Sequence, residues 1–175
     1  MELKNRHDAY RLLQELGAPT HLIRHLQLVG EAADELMAEL QKLELKFDSF
    51  LVELGAAVHD AGKIMHPSEL HSPGSLHEPA GQALLLSHGV QANVARCCIT
   101  HADWARSDVS FEERLVALAD KLWKGKREPE LELLVVDGAA LLLGRDRWDL
   151  FTQLDAGFEV IASRGSDRLE RSLTT

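Results

Sequence analysis

Cysteine is almost absent from this chain of 175 residues. The two present, Cys97 and Cys98, are adjacent, which excludes a disulfide framework and leaves them to pack as small hydrophobes on an apolar helical segment. No dense Lys/Arg tract offsets the net charge of −9, so extended nucleic acid is not an expected partner, although a nucleotide can still bind through local cations and metal. No apolar run approaches the length of a membrane span, and Glu2, Lys4, Arg6 and Asp8 break up the N-terminal stretch. Neither a membrane partner nor a signal peptide is expected, and a cytoplasmic location is. Internal repeats, low-complexity tracts and convincing period-two alternation are also missing, which leaves little room for a sheet.

What is present reads as helix. At 175 residues and 19.4 kDa the chain suits one all-α domain of about seven or eight helices. We divide it into an N-terminal helix and turn (1–19), a core (20–125), and C-terminal helices packing on that core (126–175). The first periodic segment, Leu3 to Leu16, stops at Gly17-Ala18-Pro19. Thr20 can cap a long helix with the apolar line Leu22, Leu26, Val29, Ala33, Leu36 and Leu40. Asp48 or Ser49 starts the next helix, with Phe50, Leu51, Leu54 and Val58 inward and an end near Gly62. Residues 66–74 read as a loop, and Ser75 with Glu78 as a capping box ahead of a helix that Gly89 terminates. Further helices are expected over 91–101, from a Ser110/Glu113 capping box to about Lys124, and around 130–143 and 146–163. The last ten residues are polar and expected to fray.

Chemistry concentrates at His59-Asp60, in the stretch LGAAVHDAGK. A His-Asp pair alone means little, since His7-Asp8 is another, in a polar segment. His59-Asp60, by contrast, ends an apolar run and is followed by Gly62 and Lys63. Other ligand-type residues lie on inward faces: His25 with Leu22, Leu26 and Val29; His77 with Ala80, Gly81 and Leu84; His101 with Val94, Cys97 and Cys98; Asp120 with Val116, Ala119 and Trp123. One buried histidine is ordinarily satisfied by a carbonyl. An ionised carboxylate among apolar neighbours costs several kcal/mol unless a cation or metal meets it, and Lys121 projects about 100° away from Asp120. One shared metal centre would satisfy all these groups. Imidazole and carboxylate donors suit Fe, Mn, Zn, Ni or Co.

The order His25, His59-Asp60, His77, His101, Asp120 resembles the HD superfamily, the all-helical metal-dependent phosphohydrolases, over about residues 20 to 125. The resemblance implies that His25, His59, Asp60 and Asp120 form the one-metal version of that family's site. His77 in HEPAG and His101 in CCITHAD match the branch with two divalent ions, in which the Asp of the pair bridges them; iron comes first as the metal, with Mn, Zn, Ni, Co or Mg as alternatives. The set HDxGK, HxxxG and a later His is similar to cyclic-dinucleotide phosphodiesterases and to dinucleoside-tetraphosphate hydrolases. His101 is followed by Ala102-Asp103-Trp104-Ala105-Arg106 and not by the GYP signature of the former. The Glu found shortly after the pair in deoxynucleotide monophosphatases and alarmone hydrolases is also missing. The likeness therefore points toward the tetraphosphate hydrolases.

The function implied is metal-assisted hydrolysis of a phosphoester or phosphoanhydride, in a nucleotide, with Asp60 as bridging group and Lys63 reaching a non-bridging phosphate oxygen. Arg106 is a second candidate phosphate contact, although a surface place suits it better. His21, one turn before His25, is a candidate supporting or substrate residue near a point where some two-metal relatives hold a third ion. His66 and His71 could belong to a lid, and Trp123, Lys124, Lys126 and Arg127 to a nucleotide-holding patch. The fold and six ligands also occur in di-iron oxygenases, but the step of 19 positions from His101 to Asp120 resembles the hydrolases. A non-catalytic nucleotide or metal sensor is the third reading. Trp148, Phe151 and Phe158 either dock on the core or face a second copy, so the chain is a monomer or a homodimer.

Overall fold

A computed structural model describes residues 2–174. Nine α-helices and two 3-10 turns occur among them, and no strand. The helices are α1 (Arg6–Glu15), α2 (Thr20–Gln41), α3 (Ser49–Val58), α4 (His77–Ser87), α5 (Ala92–Thr100), α6 (Phe111–Leu122), α7 (Pro129–Leu143), α8 (Arg147–Ser163) and α9 (Gly165–Ser172). The 3-10 turns, Ala61–Ile64 and Pro67–Leu70, lie between α3 and α4. None of the described helices is long and apolar enough to cross a membrane.

The apolar line of α2 explains why it occupies the centre. Leu22, Leu26, Val29, Ala33, Leu36 and Leu40 are all essentially inaccessible, so the i, i+3, i+4 spacing forms one continuous buried stripe. That stripe packs on α3 and α6, while α3 also meets α5 and α6. Around these four helices, α1 lies on α3, α4 on α5, and α7 and α8 on each other beside α6 and α2. Asp48 caps α3 by accepting from Leu51 N, and Ser110 and Glu113 form the reciprocal capping box of α6. Gly89, at φ 75°, follows the end of α4.

Several local expectations give way to tertiary contacts. Leu3 precedes α1, buried, with its backbone paired to the Gln91 side chain. Pro19, not Thr20, occupies the cap position of α2, and no side chain caps that end. Phe50 is 42% exposed, because α3 turns Leu51, Leu54 and Val58 inward. Nor does the Ser75/Glu78 capping box form: Leu76 is the cap residue of α4, and the carboxylate of Glu69 takes the amides of Leu76 and His77 at 3.1 and 3.0 Å. A tertiary acceptor has displaced the local one.

The C-terminal tail is also helical where fraying was expected. Arg168 on α9 is 1% exposed, donating to Ile161 O at 2.9 Å and to Glu35 Oε1 on α2 at 2.7 Å, and Arg171 pairs with Glu31. A buried guanidinium whose two terminal nitrogens meet carbonyls and a carboxylate ties this polar segment to the centre of the fold. Phe158 docks in the core, Phe151 packs partly against it, and Trp148 stays 65% exposed.

One close approach positions the chemistry. α3 ends at Val58, and the 3-10 turn that follows brings Gly62 against the backbone of α4. A Cβ on Gly62 would fall inside the carbonyl oxygen of His77, and one on Gly81 would meet Gly62 N at 2.8 Å. Two bare backbones therefore touch, and Cys98 fills the space beside Gly81, donating its thiol to Val58 O at 3.4 Å. Gly62→Ala is expected to lose about 3 kcal/mol, at the upper end of overpacking effects, and to separate Asp60 from His77. Denaturant unfolding together with metal titration of the variant measures both losses.

Candidate metal centre

The six ligand-type residues all occupy helix ends. His25 lies in the second turn of α2, His59 caps the C-terminus of α3, Asp60 precedes the 3-10 turn, His77 opens α4, His101 caps the C-terminus of α5, and Asp120 lies in the last turn of α6. Three helix C-termini thus converge, each with a partial negative charge that favours a cation.

The structure brings all six together. Oδ2 of Asp60 lies 3.1 Å from His25 Nε2 and 3.8 Å from His59 Nε2, and its Oδ1 lies 3.2 Å from His77 Nε2 and 3.6 Å from His101 Nε2. Asp120 Oδ1 stands 3.3 Å from His59 Nε2 and 3.9 Å from His25 Nε2. Two groups of donors result, His25/His59/Asp120 and Asp60/His77/His101, with Asp60 between them. His59, Asp60, His77 and His101 are buried, while the side chain of His25 keeps 21% exposure and lines a cleft of about 460 Å³.

Tautomers decide what these rings can do. Nδ1 of His59 lies 2.9 Å from Ala56 O and Nδ1 of His101 lies 3.1 Å from Cys97 O, and a carbonyl can only accept. His77 Nδ1 lies 2.6 Å from Glu69 Oε2, an ionised carboxylate, so it too carries the proton. In the neutral rings each Nε2 is therefore a lone pair turned toward carboxylate oxygens. Nε2 of His25, His59 and His77 makes no hydrogen bond in this buried setting. Lone pairs facing lone pairs fit a shared cation, and the all-N/O donor set suits a divalent metal.

Titration behaviour agrees. Burial would raise the pKa of Asp60, but His59, His25, His77 and His101 hold it well below the usual carboxylate range. Asp120 is likewise pushed down to about 2: burial opposes this, while His59 and His101 outweigh burial and the repulsion from Asp60. Burial pulls His59 and His77 down, yet Asp60, with Asp120 and Glu69 respectively, leaves both above the ordinary imidazole value. His101 falls to about 4, through burial first and then the charge of His59. Burial raises both thiols far above their ordinary range, so Cys97 and Cys98 are packing groups.

A family model for the HD domain matches residues 20–124. The chain belongs to the HD domain family. Membership places it in a superfamily of metal-dependent phosphohydrolases. No curated protein and no solved structure gave a significant match.

Around this HD centre the remaining candidates divide. Lys63 Nζ sits 2.7 Å from Asp60 Oδ2 and lines the cleft, as do His21, His71 and Lys124. His21 and His71 stack with ring centroids 5.5 Å apart. Trp123 is buried edge-on against His25, centroids 4.8 Å apart. Arg106 is held at the surface by Asp108 and Asp103, and Arg127 is occupied by Glu132, Asp155 and Glu159. His66 is half-buried at the start of the second 3-10 turn and does not line the cleft.

Glu69 was missed by sequence reasoning. It lies eight positions before His77 in a Pro/Ser loop and carries no periodicity or motif; only its 9% exposure and three bonds to Leu76 and His77 reveal it. It fixes the His77 tautomer and caps α4. Glu69→Ala is expected to weaken metal binding about 10- to 100-fold, with the smaller loss in Glu69→Gln, read by calorimetric metal titration. The raised values of His59 and His77 mean that these rings keep protons to higher pH in metal-free protein. Metal binding near pH 7 should therefore release protons and weaken as the pH falls, which calorimetry in buffers of different ionisation enthalpy detects.

Proposed function

We propose that this HD-domain protein hydrolyses a phosphoester or phosphoanhydride in a small nucleotide, using two divalent ions held through His25, His59, Asp60 and Asp120 on one side and Asp60, His77 and His101 on the other. The observation that carries the reading is Asp60, whose two oxygens face two separate pairs of imidazoles. Iron is the first choice of metal, with Mn, Zn, Ni, Co or Mg as alternatives for the same N/O donors. When bound, such ions supply an activated water and stabilise the charge that develops on the phosphoryl oxygens.

The chain's own residues supply position and charge. Asp60, ionised and buried, balances cationic charge between the two donor groups. Lys63 pairs with Asp60 at 2.7 Å. It also lines the cleft, where its ammonium would meet a non-bridging phosphate oxygen of the substrate. Trp123 braces His25, and complete burial of His59 keeps bulk water from the inner wall.

The test is phosphate release from nucleotides by metal-loaded protein, with oxygen uptake followed in parallel. Asp60→Asn should reduce release more than about 100-fold. Lys63→Ala should cost about 10- to 100-fold in kcat/KM, the worth of one charge-assisted contact. Oxygen uptake without phosphate release would replace this reading with the oxygenase one. Metal binding with neither activity would leave a sensor.

A further inference from the structure

The chain carries a net charge of −9, yet among the described residues no carboxylate lines the cleft that opens beside His25. Its polar walls are Lys63, Lys124, His21 and His71, with Leu70 and Leu173 among its apolar surface. Lys124 is exposed and enters no ion pair among the described residues, whereas its neighbours Lys126 and Arg127 are both matched to carboxylates. The rings of His21 and His71 stack and make no hydrogen bond to another described residue. The N-terminus of α2, where His21 sits, has no side-chain cap, so its amide dipoles add positive potential at the same wall. At about 460 Å³ the cleft lies within the range of small-molecule sites, about 300–1,000 Å³, and exceeds what one phosphate needs.

We infer that His21, His71 and Lys124 form a second anion subsite beside the His/Asp centre, so that the substrate carries at least one phosphate beyond the one attacked. This rests on the proposed hydrolysis and narrows its substrate class to phosphoanhydrides of the nucleoside-polyphosphate kind, in preference to simple monoesters. Lys63 meets the phosphate at the centre, and Lys124 with the imidazole pair meets the next one along the cleft. Leu70 and Leu173 offer apolar surface to the organic part.

Calorimetric titration of the metal-free chain with orthophosphate, pyrophosphate and tripolyphosphate tests this without relying on turnover. Affinity should rise along that series, with tripolyphosphate at least about tenfold tighter than orthophosphate. Lys124→Ala and the double variant His21→Ala/His71→Ala should each remove about tenfold from tripolyphosphate binding, while the control Lys121→Ala, outside the cleft, should leave it unchanged. Far-ultraviolet circular dichroism shows whether the variants remain folded. Equal affinity for all three anions, or equal losses in Lys124→Ala and Lys121→Ala, would overturn the inference. If the selectivity stands but the metal-loaded chain releases phosphate from nothing, the hydrolase reading fails and the subsite remains.

Discussion

The buried carboxylate of Asp60 is the constraint on which the rest of this molecule depends. A charge 3% exposed to water is tolerable only if cationic groups meet it, and one ammonium together with the metal-ligating faces of four imidazoles surrounds it. None of the imidazoles comes from the same helix as another. Satisfying one side chain thus requires α2, α3, α4 and α5 to end at the same place, and the bare contact between Gly62 and α4 is what permits the last of these approaches.

The same logic extends outward. Glu69 sets the proton of His77 and the start of α4 in one stroke, so the entry of that helix and the chemistry of its first residue are a single feature. Trp123 packs on His25, and its backbone carbonyl faces the buried guanidinium of Arg168 at 3.4 Å. The polar C-terminal helix therefore braces the wall of the His/Asp cluster, while its end at Ser172 and Leu173 reaches the rim of the cleft. A segment that adds little to the apolar core still helps shape the site.

Legibility in sequence followed the range of the interactions. The stripe of α2 and the Ser110/Glu113 box depend on residues three and four apart, and they formed as read. The Ser75/Glu78 box has the same local form and failed, because Glu69 offered the amides a better-placed acceptor. The tail failed for a related reason: its composition is polar, and the partners that order it, Glu31 and Glu35, lie more than a hundred positions away. The six ligand-type residues could be singled out because polar groups on apolar faces need an explanation. Glu69 could not, since nothing local distinguishes it from a solvated loop residue.

Residue order and periodicity by themselves determined an all-helical chain, the family to which it belongs, and which polar side chains must turn inward, because these follow from spacing along one helix and from a motif of ordered residue types. Only the tertiary structure decided that Asp60 divides its oxygens between two pairs of rings, that the neutral rings of His59, His77 and His101 present lone pairs, and that the described residues of an acidic protein leave one cleft free of carboxylates. Those outcomes depend on distances between helix ends far apart in the chain, and such distances exist only after packing.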